Sequence, residues 1–175
     1  MKTRQAKLQF TPCGPVYPEV SGLKNAEEPL LKVSEIGISY NPAVKSADRL
    51  TVTSSTDAER ILRKIWCKPL ELRECFYALF LNRSNKVLGF FLVSIGGLTG
   101  TVADVRTIFQ AALKANACSV IFAHNHPSGN LQPSDADIQL TRKLNEAGRI
   151  MEVTVLDHII LVPDSYFSMT DNGLL

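Results

Sequence analysis

Cysteine, net charge and long hydrophobic runs are all scarce in this chain of 175 residues. Its four cysteines are Cys13, Cys67, Cys75 and Cys118, and none form a Cys-x-x-Cys pair, which excludes a cysteine zinc cluster and a dense disulfide framework. Nineteen basic and seventeen acidic residues leave a net charge of +2, so composition supplies no strong field for nucleic acid or anionic lipid. The longest uncharged stretch, residues 87–103, contains four glycines and is too short for a membrane span.

These absences predict a globular, cytoplasmic protein. The N-terminus is basic but has no apolar run of signal-peptide length. Apolar residues make up 45% of the chain and charged residues 21%, as in ordinary globular domains. A chain of this length buries a core without disulfides, and isolated thiols are typical of a reducing compartment. We expect Cys118, which lies in an apolar segment, to be a buried core thiol.

The prolines divide the chain into two parts. Five of the nine prolines lie in the first 42 residues, where the one plausible strand is residues 31–40. We therefore expect residues 1–50 to be an irregular proline-containing extension. Residues 51–175 are then the folded domain.

Hydrophobic spacing predicts a mixed α/β structure for the domain. Thr56 and Glu59 form a candidate capping box for a first helix that Pro69 ends. Strands at 74–81 and 86–95 form a hairpin. The other predicted elements are a helix from Asp104, a buried strand at 118–123, a loop at 124–130, a helix at 134–147 ended by Gly148, and strand segments at 151–156 and 158–162.

The chemistry of the chain centres on a pair of histidines. Only three histidines are present, and two of them stand as His124-x-His126, directly after the predicted buried strand. Residues two apart in an extended segment point to the same side, so both rings can reach one metal ion. Asp137, in the first turn of the next helix, could supply a third ligand. Two imidazoles, one carboxylate and an open fourth position are typical of a catalytic zinc site.

A plainer interpretation of the same helix start remains open. Ser134 can be the N-cap of the helix, and Asp137 then lies in the first turn, where a negative charge is favourable. The capping role and the ligand role are compatible with each other.

The string HNHPSGNLQPSDADIQLT, followed by VLDHII, resembles the RadC-like branch of the JAMM superfamily, also called MPN or JAB. The resemblance covers about residues 53–175. It implies a cytidine-deaminase-like α/β fold, a curved mixed sheet flanked by helices, with one Zn²⁺. It implies that His124, His126 and Asp137 bind the zinc, and that Ser134 hydrogen-bonds a tetrahedral intermediate.

The resemblance also implies a glutamate on an upstream strand as general base, and Glu74 matches that position. A carboxylate beside zinc can accept the proton of the attacking water. The plainer interpretation of Glu74 is a solvent-facing residue at a strand edge, and Glu71 is the alternative base. Asp157 and His158 are either a pair that orients a zinc ligand or a locally satisfied pair at a strand junction.

This sequence departs from parts of the family pattern. Many deubiquitinase-type members have Ser or Thr between the two histidines, whereas Asn125 stands here, as in RadC-like proteins. Members of that branch usually carry an N-terminal helix-hairpin-helix region associated with DNA, which residues 1–50 do not resemble. The resemblance therefore concerns the catalytic-type domain.

The sequence-based hypothesis is a zinc-dependent hydrolase that acts on a peptide or isopeptide bond of a protein or peptide substrate. The alternative is a DNA-repair-associated accessory protein with a non-catalytic metal site. The basic residues of the first helix, Arg60, Arg63, Lys64 and Lys68, are more simply a solvated face than a DNA-binding groove. A zinc deaminase would need His-x-Glu and Pro-Cys-x-x-Cys, which the sequence lacks. A two-metal nuclease would need more clustered carboxylates.

Overall fold

The computed structural model describes residue 40 and residues 42–66, 69–96 and 103–175, which have an α/β fold. In chain order the helices and strands are α1 (Ser55–Ile65), β1 (Cys75–Leu81), β2 (Val87–Ile95), α2 (Val105–Lys114), β3 (Ser119–Asn125), α3 (Asp135–Ile150), β4 (Thr154–Val162) and β5 (Ser165–Ser168). The predicted fold class is confirmed, and so is the predicted hairpin.

Within the described residues, the strands form one mixed sheet in the order β2-β1-β3-β4-β5. β1 lies antiparallel to both β2 and β3, and β5 lies antiparallel to β4. β3 and β4 are parallel, which requires a crossover between them, and α3 provides it. The C-terminal end of the central strand β3 and the start of α3 therefore lie at the same end of the sheet.

Apolar side chains cover both faces of this sheet. Along β1, Tyr77 belongs to a core cluster with Leu62 of α1, whereas Phe76 belongs to the opposite cluster with Phe109 of α2 and Leu144 of α3. Because β1 is buried on both sides, its sequence is continuously apolar instead of alternating.

Helix α1 begins two residues earlier than predicted. Its N-cap is Ser54, whose hydroxyl accepts a hydrogen bond from the main-chain N–H of Asp57 at 3.2 Å. The hydroxyl of Thr56 lies 3.0 Å from the hydroxyl of Tyr166 instead of capping the helix. The predicted capping box of Thr56 and Glu59 is therefore wrong. Residues 53–56 are all serine or threonine, so the local sequence does not show which of them is the N-cap of α1. Contacts with distant residues such as Tyr166 decide it.

Gly148 lies inside α3, not beyond its end as predicted. A Cβ atom at this position would lie 2.5 Å from the main-chain oxygen of Val153 and 3.1 Å from Cγ2 of Val155. The glycine therefore lets the helix approach the chain that enters β4. α3 continues to Ile150, three residues past the predicted end.

The last strands also differ from the prediction. The segments predicted at 151–156 and 158–162 are one strand, β4, which begins at Thr154 and has an irregularity in its pairing with β3. β5, in the sequence SYFS, was not predicted, because four residues of mixed polarity give little periodic signal.

Cys118 is exposed, so the prediction of a buried core thiol is wrong. β3 begins one residue later, at Ser119, and Cys118 lies on the exposed approach to it. Cys13 and Cys67 lie outside the described residues, as do residues 1–39 of the predicted extension and nearly all of the predicted strand at 31–40. Residues Ser46–Asp48 form a short 3-10 helix. Among the described residues, no helix has the length and apolar character to span a membrane.

Candidate metal centre

The three predicted ligands meet where β3 ends. His124 is the penultimate residue of β3, His126 follows the strand, and Asp137 lies in the first turn of α3. The predicted loop began at His124, but pairing of β3 with β4 extends the strand through Asn125. The two histidines therefore owe their common orientation to the geometry of the strand.

The candidate ligand atoms lie close enough together to hold one metal ion. Nε2 of His124 lies 2.9 Å from Nε2 of His126 and 3.2 Å from Oδ1 of Asp137. Nε2 of His126 lies 3.6 Å from Oδ2 of Asp137. Ligands on a tetrahedral zinc, at bond lengths of about 2.0–2.1 Å, are about 3.3 Å apart. The distances to Asp137 reach a different oxygen from each histidine, and one ligand atom from each of the three residues lies within 4.8 Å of the others. Two imidazole nitrogens and one carboxylate oxygen fit zinc chemically and leave a fourth position for water.

A hydrogen bond behind His126 sets the tautomer of its ring. Nδ1 of His126 lies 2.6 Å from the main-chain oxygen of Asn130. A carbonyl oxygen only accepts, so Nδ1 carries the hydrogen and the neutral ring has its lone pair on Nε2, toward the site. The turn that brings Asn130 back requires the positive φ of 76° at Gly129. The HPSGN sequence thus orients a candidate ligand.

Opposite charges are concentrated at this site. The hydrogen bond that His126 donates to the carboxylate of Asp137 raises the pKa of His126 above its ordinary value, and the charge of Glu74 acts in the same direction. Burial pushes the pKa of Asp137 upward, but hydrogen bonds from His124 and His126 outweigh burial and hold that pKa far below its usual range. Asp137 is therefore ionised at physiological pH, as a metal ligand must be.

Ser134 caps α3 and lies at the exposed side of the metal centre. Its hydroxyl accepts a hydrogen bond from the main-chain N–H of Asp137 at 3.2 Å and donates to Oδ2 of the same residue at 2.6 Å. The main-chain N–H of Ser134 donates to Oδ2 at 2.7 Å, which completes a capping box. Oδ1 of Asp137 faces His124, so one carboxylate has the geometry for both roles.

Glu74 lies half-buried just before β1. Phe76 is opposite His124 in the pairing of β1 with β3, so two residues further along the same face Glu74 approaches His126. The effect of the Glu74 charge on the pKa of His126 agrees with this placement. Glu71, the alternative base, is exposed in the preceding turn. Of these two carboxylates, Glu74 is the better placed to act at the metal centre.

Asn125, between the two histidines, points to the opposite face of β3 and holds the segment that carries Glu74. Its Oδ1 accepts a hydrogen bond from the main-chain N–H of Cys75 at 2.8 Å. Its Nδ2 donates to the main-chain oxygens of Leu70 and Arg73 at 2.5 and 2.9 Å. A serine or threonine at this position is too short to make all three bonds. Asn125, which departs from the deubiquitinase-type pattern, therefore holds in place the segment that leads into β1.

His158 belongs to the pair of residues whose role the sequence left open, and it contacts a predicted ligand. Its Nε2 lies 2.8 Å from Nδ1 of His124, and its Nδ1 lies 2.5 Å from Oγ1 of Thr141. Full burial, together with the charge of His124, holds the pKa of His158 well below its ordinary value. Sequence reasoning missed Thr141, although its place four residues after Asp137 puts both on one face of α3.

Asp157 has a different role from its neighbour. Its carboxylate accepts hydrogen bonds from the hydroxyl of Ser168 at 2.6 Å, the main-chain N–H of His158 at 2.7 Å and the main-chain N–H of Thr170 at 3.1 Å. Asp157 therefore ties β5 and the chain after it to β4. The predicted pair thus divides into one residue at the metal centre and one that holds the sheet edge.

The basic face of α1 is only partly a solvated surface. Arg60 and Lys64 are exposed, and Lys68 lies outside the described residues. Arg63 instead pairs with Glu59 and donates to the main-chain oxygens of the turn between β4 and β5. Its guanidinium is thereby committed to internal contacts, which corrects the expectation for this residue.

A family model described as "RadC-like JAB domain" matches residues 52–174 of the chain. This range contains every residue discussed at the metal centre and begins close to the predicted start of the domain.

Curated relatives agree with that match. A "UPF0758 protein" of Flavobacterium johnsoniae is 46% identical over 124 residues, which are 70% of this chain and 53% of the relative. A "UPF0758 protein" of Rubrobacter xylanophilus is 35% identical over 162 residues, 90% of this chain and 68% of the relative. The chain spans about half the length of most of the curated relatives it matches.

Proposed function

This chain belongs to the family of RadC-like JAB domains, and from that premise we propose that it is a cytoplasmic zinc-dependent hydrolase of the JAMM type. The proposed reaction is attack of water on the carbonyl of a peptide or isopeptide bond in a protein or peptide substrate. The observation that carries the proposal is the convergence of His124, His126 and Asp137 at zinc-ligand spacing, with a carboxylate beside them.

The donor set and its surroundings support a catalytic site over a purely structural one. Three protein ligands leave one coordination position open, whereas structural zinc sites are closed by a fourth protein ligand. His126 and Asp137 each expose 15% of their side chains, so the centre is reached from solvent on that side. A zinc ion held here would supply Lewis acidity, which lowers the pKa of bound water toward about 7 and polarises a carbonyl.

Two side chains of this protein have the chemistry to complete the reaction. The carboxylate of Glu74 would accept a proton from the attacking water and deliver it to the leaving amine. The hydroxyl of Ser134, at the exposed start of α3, would donate a hydrogen bond to the developing oxyanion. That hydroxyl donates to Asp137 in the structure, so it must turn toward the substrate.

The proposal is tested by zinc content and hydrolysis in the full chain. Mass spectrometry of the native protein should find about one zinc per chain in the wild type and little in the His124→Ala/His126→Ala double variant. A library of peptides and isopeptide-linked conjugates then serves as the substrate screen, with zinc-stripped protein as the control.

The two readouts separate the two hypotheses for this family member. Zinc-dependent cleavage supports the hydrolase. A zinc-loaded protein that cleaves nothing in the screen contradicts it and leaves the accessory protein with a non-catalytic metal site, for which DNA binding would be measured next. Stoichiometric zinc retained by the double variant would place the metal elsewhere.

A further inference from the structure

His158 has no part in the proposed chemistry, yet it lies fully buried beside the metal centre. We propose that His158 and Thr141 form a buried relay that orients His124 toward the metal, so that both are positioning residues for zinc binding. The inference rests on the zinc site of the proposed function, but it does not require that the protein be a hydrolase.

Metal binding would determine the direction of every hydrogen bond in the relay. A neutral His124 that offers the lone pair of Nε2 to a metal carries its hydrogen on Nδ1, so Nδ1 donates to Nε2 of His158 at 2.8 Å. The hydrogen of His158 is then on Nδ1, which donates to Oγ1 of Thr141 at 2.5 Å. The hydroxyl of Thr141 donates to the main-chain oxygen of Asp137 at 2.6 Å. Every hydrogen has an acceptor, and every acceptor has a hydrogen.

The relay connects two of the ligands through the protein interior. The carboxylate of Asp137 faces Nε2 of His124. The main-chain oxygen of Asp137 accepts a hydrogen bond from the hydroxyl of Thr141, which lies one helical turn further along α3. The path from Asp137 through Thr141 and His158 to His124 therefore joins α3 to β4 and β3. These contacts set the separation between a ligand on a helix and a ligand on a strand.

Aromatic rings hold the relay in place. Phe76 lies edge-on to His158 with ring centres 5.3 Å apart and is nearly parallel to His124 at 6.2 Å. Phe122 meets His158 edge-on at 6.3 Å. Both phenylalanines belong to the core cluster on this face of the sheet, so the histidine rings cannot turn unless the core opens.

A direct metal ligand is the competing role for His158, and the geometry opposes it. His158 contacts Nδ1 of His124, whereas His126 and Asp137 lie at Nε2, on the other side of the His124 ring. His158 thus lies behind a ligand and not beside it. Zinc-binding histidines are usually oriented by a carboxylate or a carbonyl, and here a buried imidazole takes that place.

Zinc affinity of the full chain, measured by competition with a chromogenic chelator, tests the relay. His158→Leu should weaken zinc binding by about 10- to 100-fold, the effect typical of losing a group that orients a ligand. His158→Gln places an acceptor oxygen near the position of Nε2 and should stay closer to wild type than His158→Asn, which places a donor near Nδ1. Thr141→Val should weaken binding, and Thr141→Ser should restore it.

The absorption spectrum of the cobalt-substituted protein reports whether the ligand geometry changes with affinity. We expect His158→Leu and Thr141→Val to alter that spectrum, a change that a distant packing defect would not cause. Folding of each metal-free variant is checked by circular dichroism. If His158→Leu does not fold, the Gln and Asn pair and the Ser and Val pair carry the test. The relay would be overturned by equal zinc affinities and equal cobalt spectra for His158→Gln and His158→Asn, together with the same equality for Thr141→Ser and Thr141→Val.

Failure of the relay and failure of the proposed function give different results. Long-range nitrogen–proton NMR of the zinc-loaded protein should show His158 with its hydrogen on Nδ1, and a hydrogen on Nε2 would overturn the relay even in an active hydrolase. A zinc-bound protein with the expected tautomer and no hydrolysis would contradict the function alone.

Discussion

Oδ1 of Asn125 accepts a hydrogen bond from the main-chain N–H of Cys75 at 2.8 Å. This bond joins the strand that carries the histidines to the residue that follows the candidate base, Glu74. Neighbouring positions on β3 thereby have separate tasks, since His124 faces the metal centre and Asn125 faces away to hold the other half of the site. Holding such groups in a set geometry lowers the barrier of a hydrolytic reaction.

Asn125→Ala should lower the free energy of unfolding by about 2–4 kcal/mol, because one main-chain N–H and two main-chain oxygens lose a buried partner. Chemical denaturation measures this loss, and hydrogen exchange at the Cys75 N–H should rise with it. Zinc affinity should change little, since none of the three ligands bonds to Asn125. Unchanged exchange at Cys75 would contradict the assigned role.

The sequence could point to the candidate ligands because their pattern is local. His124 and His126 stand two apart at the end of an apolar run, and Ser134 and Asp137 stand three apart at a helix start, so both signals lie within a few residues. Hydrophobic spacing predicted the type and order of most helices and strands in the same way, but it placed several of their ends wrongly.

Contacts between distant residues could not be predicted in that way. Thr141 and His158 are 17 positions apart, and Asn125 and Leu70 are 55 apart, so only the folded sheet brings each pair together. Gly148 resembles a helix stop in the sequence, which does not show that the main-chain oxygen of Val153 lies 2.5 Å from where a Cβ atom would be. Local signals predicted the candidate site, and the contacts that support it join residues far apart in the sequence.

Glu74→Gln should retain zinc and stability but lose hydrolysis of any substrate found in the screen, by about 100- to 10,000-fold in kcat. The amide keeps the shape of the side chain but cannot accept the proton of the attacking water. Glu71→Gln, at the exposed neighbouring carboxylate, is the matched control and should behave as wild type. Full activity in Glu74→Gln, or loss in Glu71→Gln alone, would reassign the base.

Asp137→Asn and Asp137→Ala should separate the two roles of this carboxylate. Both should bind zinc much more weakly, because neither supplies an anionic oxygen. The asparagine can still accept from the main-chain N–H of Ser134, whereas alanine cannot, so the metal-free alanine variant should be less stable than the asparagine variant by about 1 kcal/mol. Thermal unfolding of metal-free protein measures the difference, and equal stabilities would remove the capping contribution.

Gly148→Ala should destabilise the protein by about 1–2 kcal/mol, although alanine favours a helix over glycine by about 1 kcal/mol. The added methyl would lie 2.5 Å from a main-chain oxygen, so α3 must move away from β4. Asn145→Ala, at an exposed position of the same helix, is the control and should be neutral or slightly stabilising. Denaturant midpoints for both variants distinguish the helical preference from the close approach, and a more stable Gly148→Ala would contradict the packing argument.

Zinc binding should release a proton near neutral pH. The pKa of His126 is raised from its ordinary value, chiefly by the hydrogen bond that the ring donates to the carboxylate of Asp137, so the ring holds its proton to higher pH than a free imidazole does. Zinc needs the lone pair on Nε2 of His126, so the proton on that nitrogen must leave. The zinc affinity should therefore rise with pH by up to about tenfold per pH unit below the raised pKa of His126, and it should level off above that pKa. Calorimetry in two buffers of different ionisation enthalpy counts the protons released. The Asn145→Ala variant should release the same number as wild type, and an affinity independent of pH between 6 and 8 would contradict this account of the charged site.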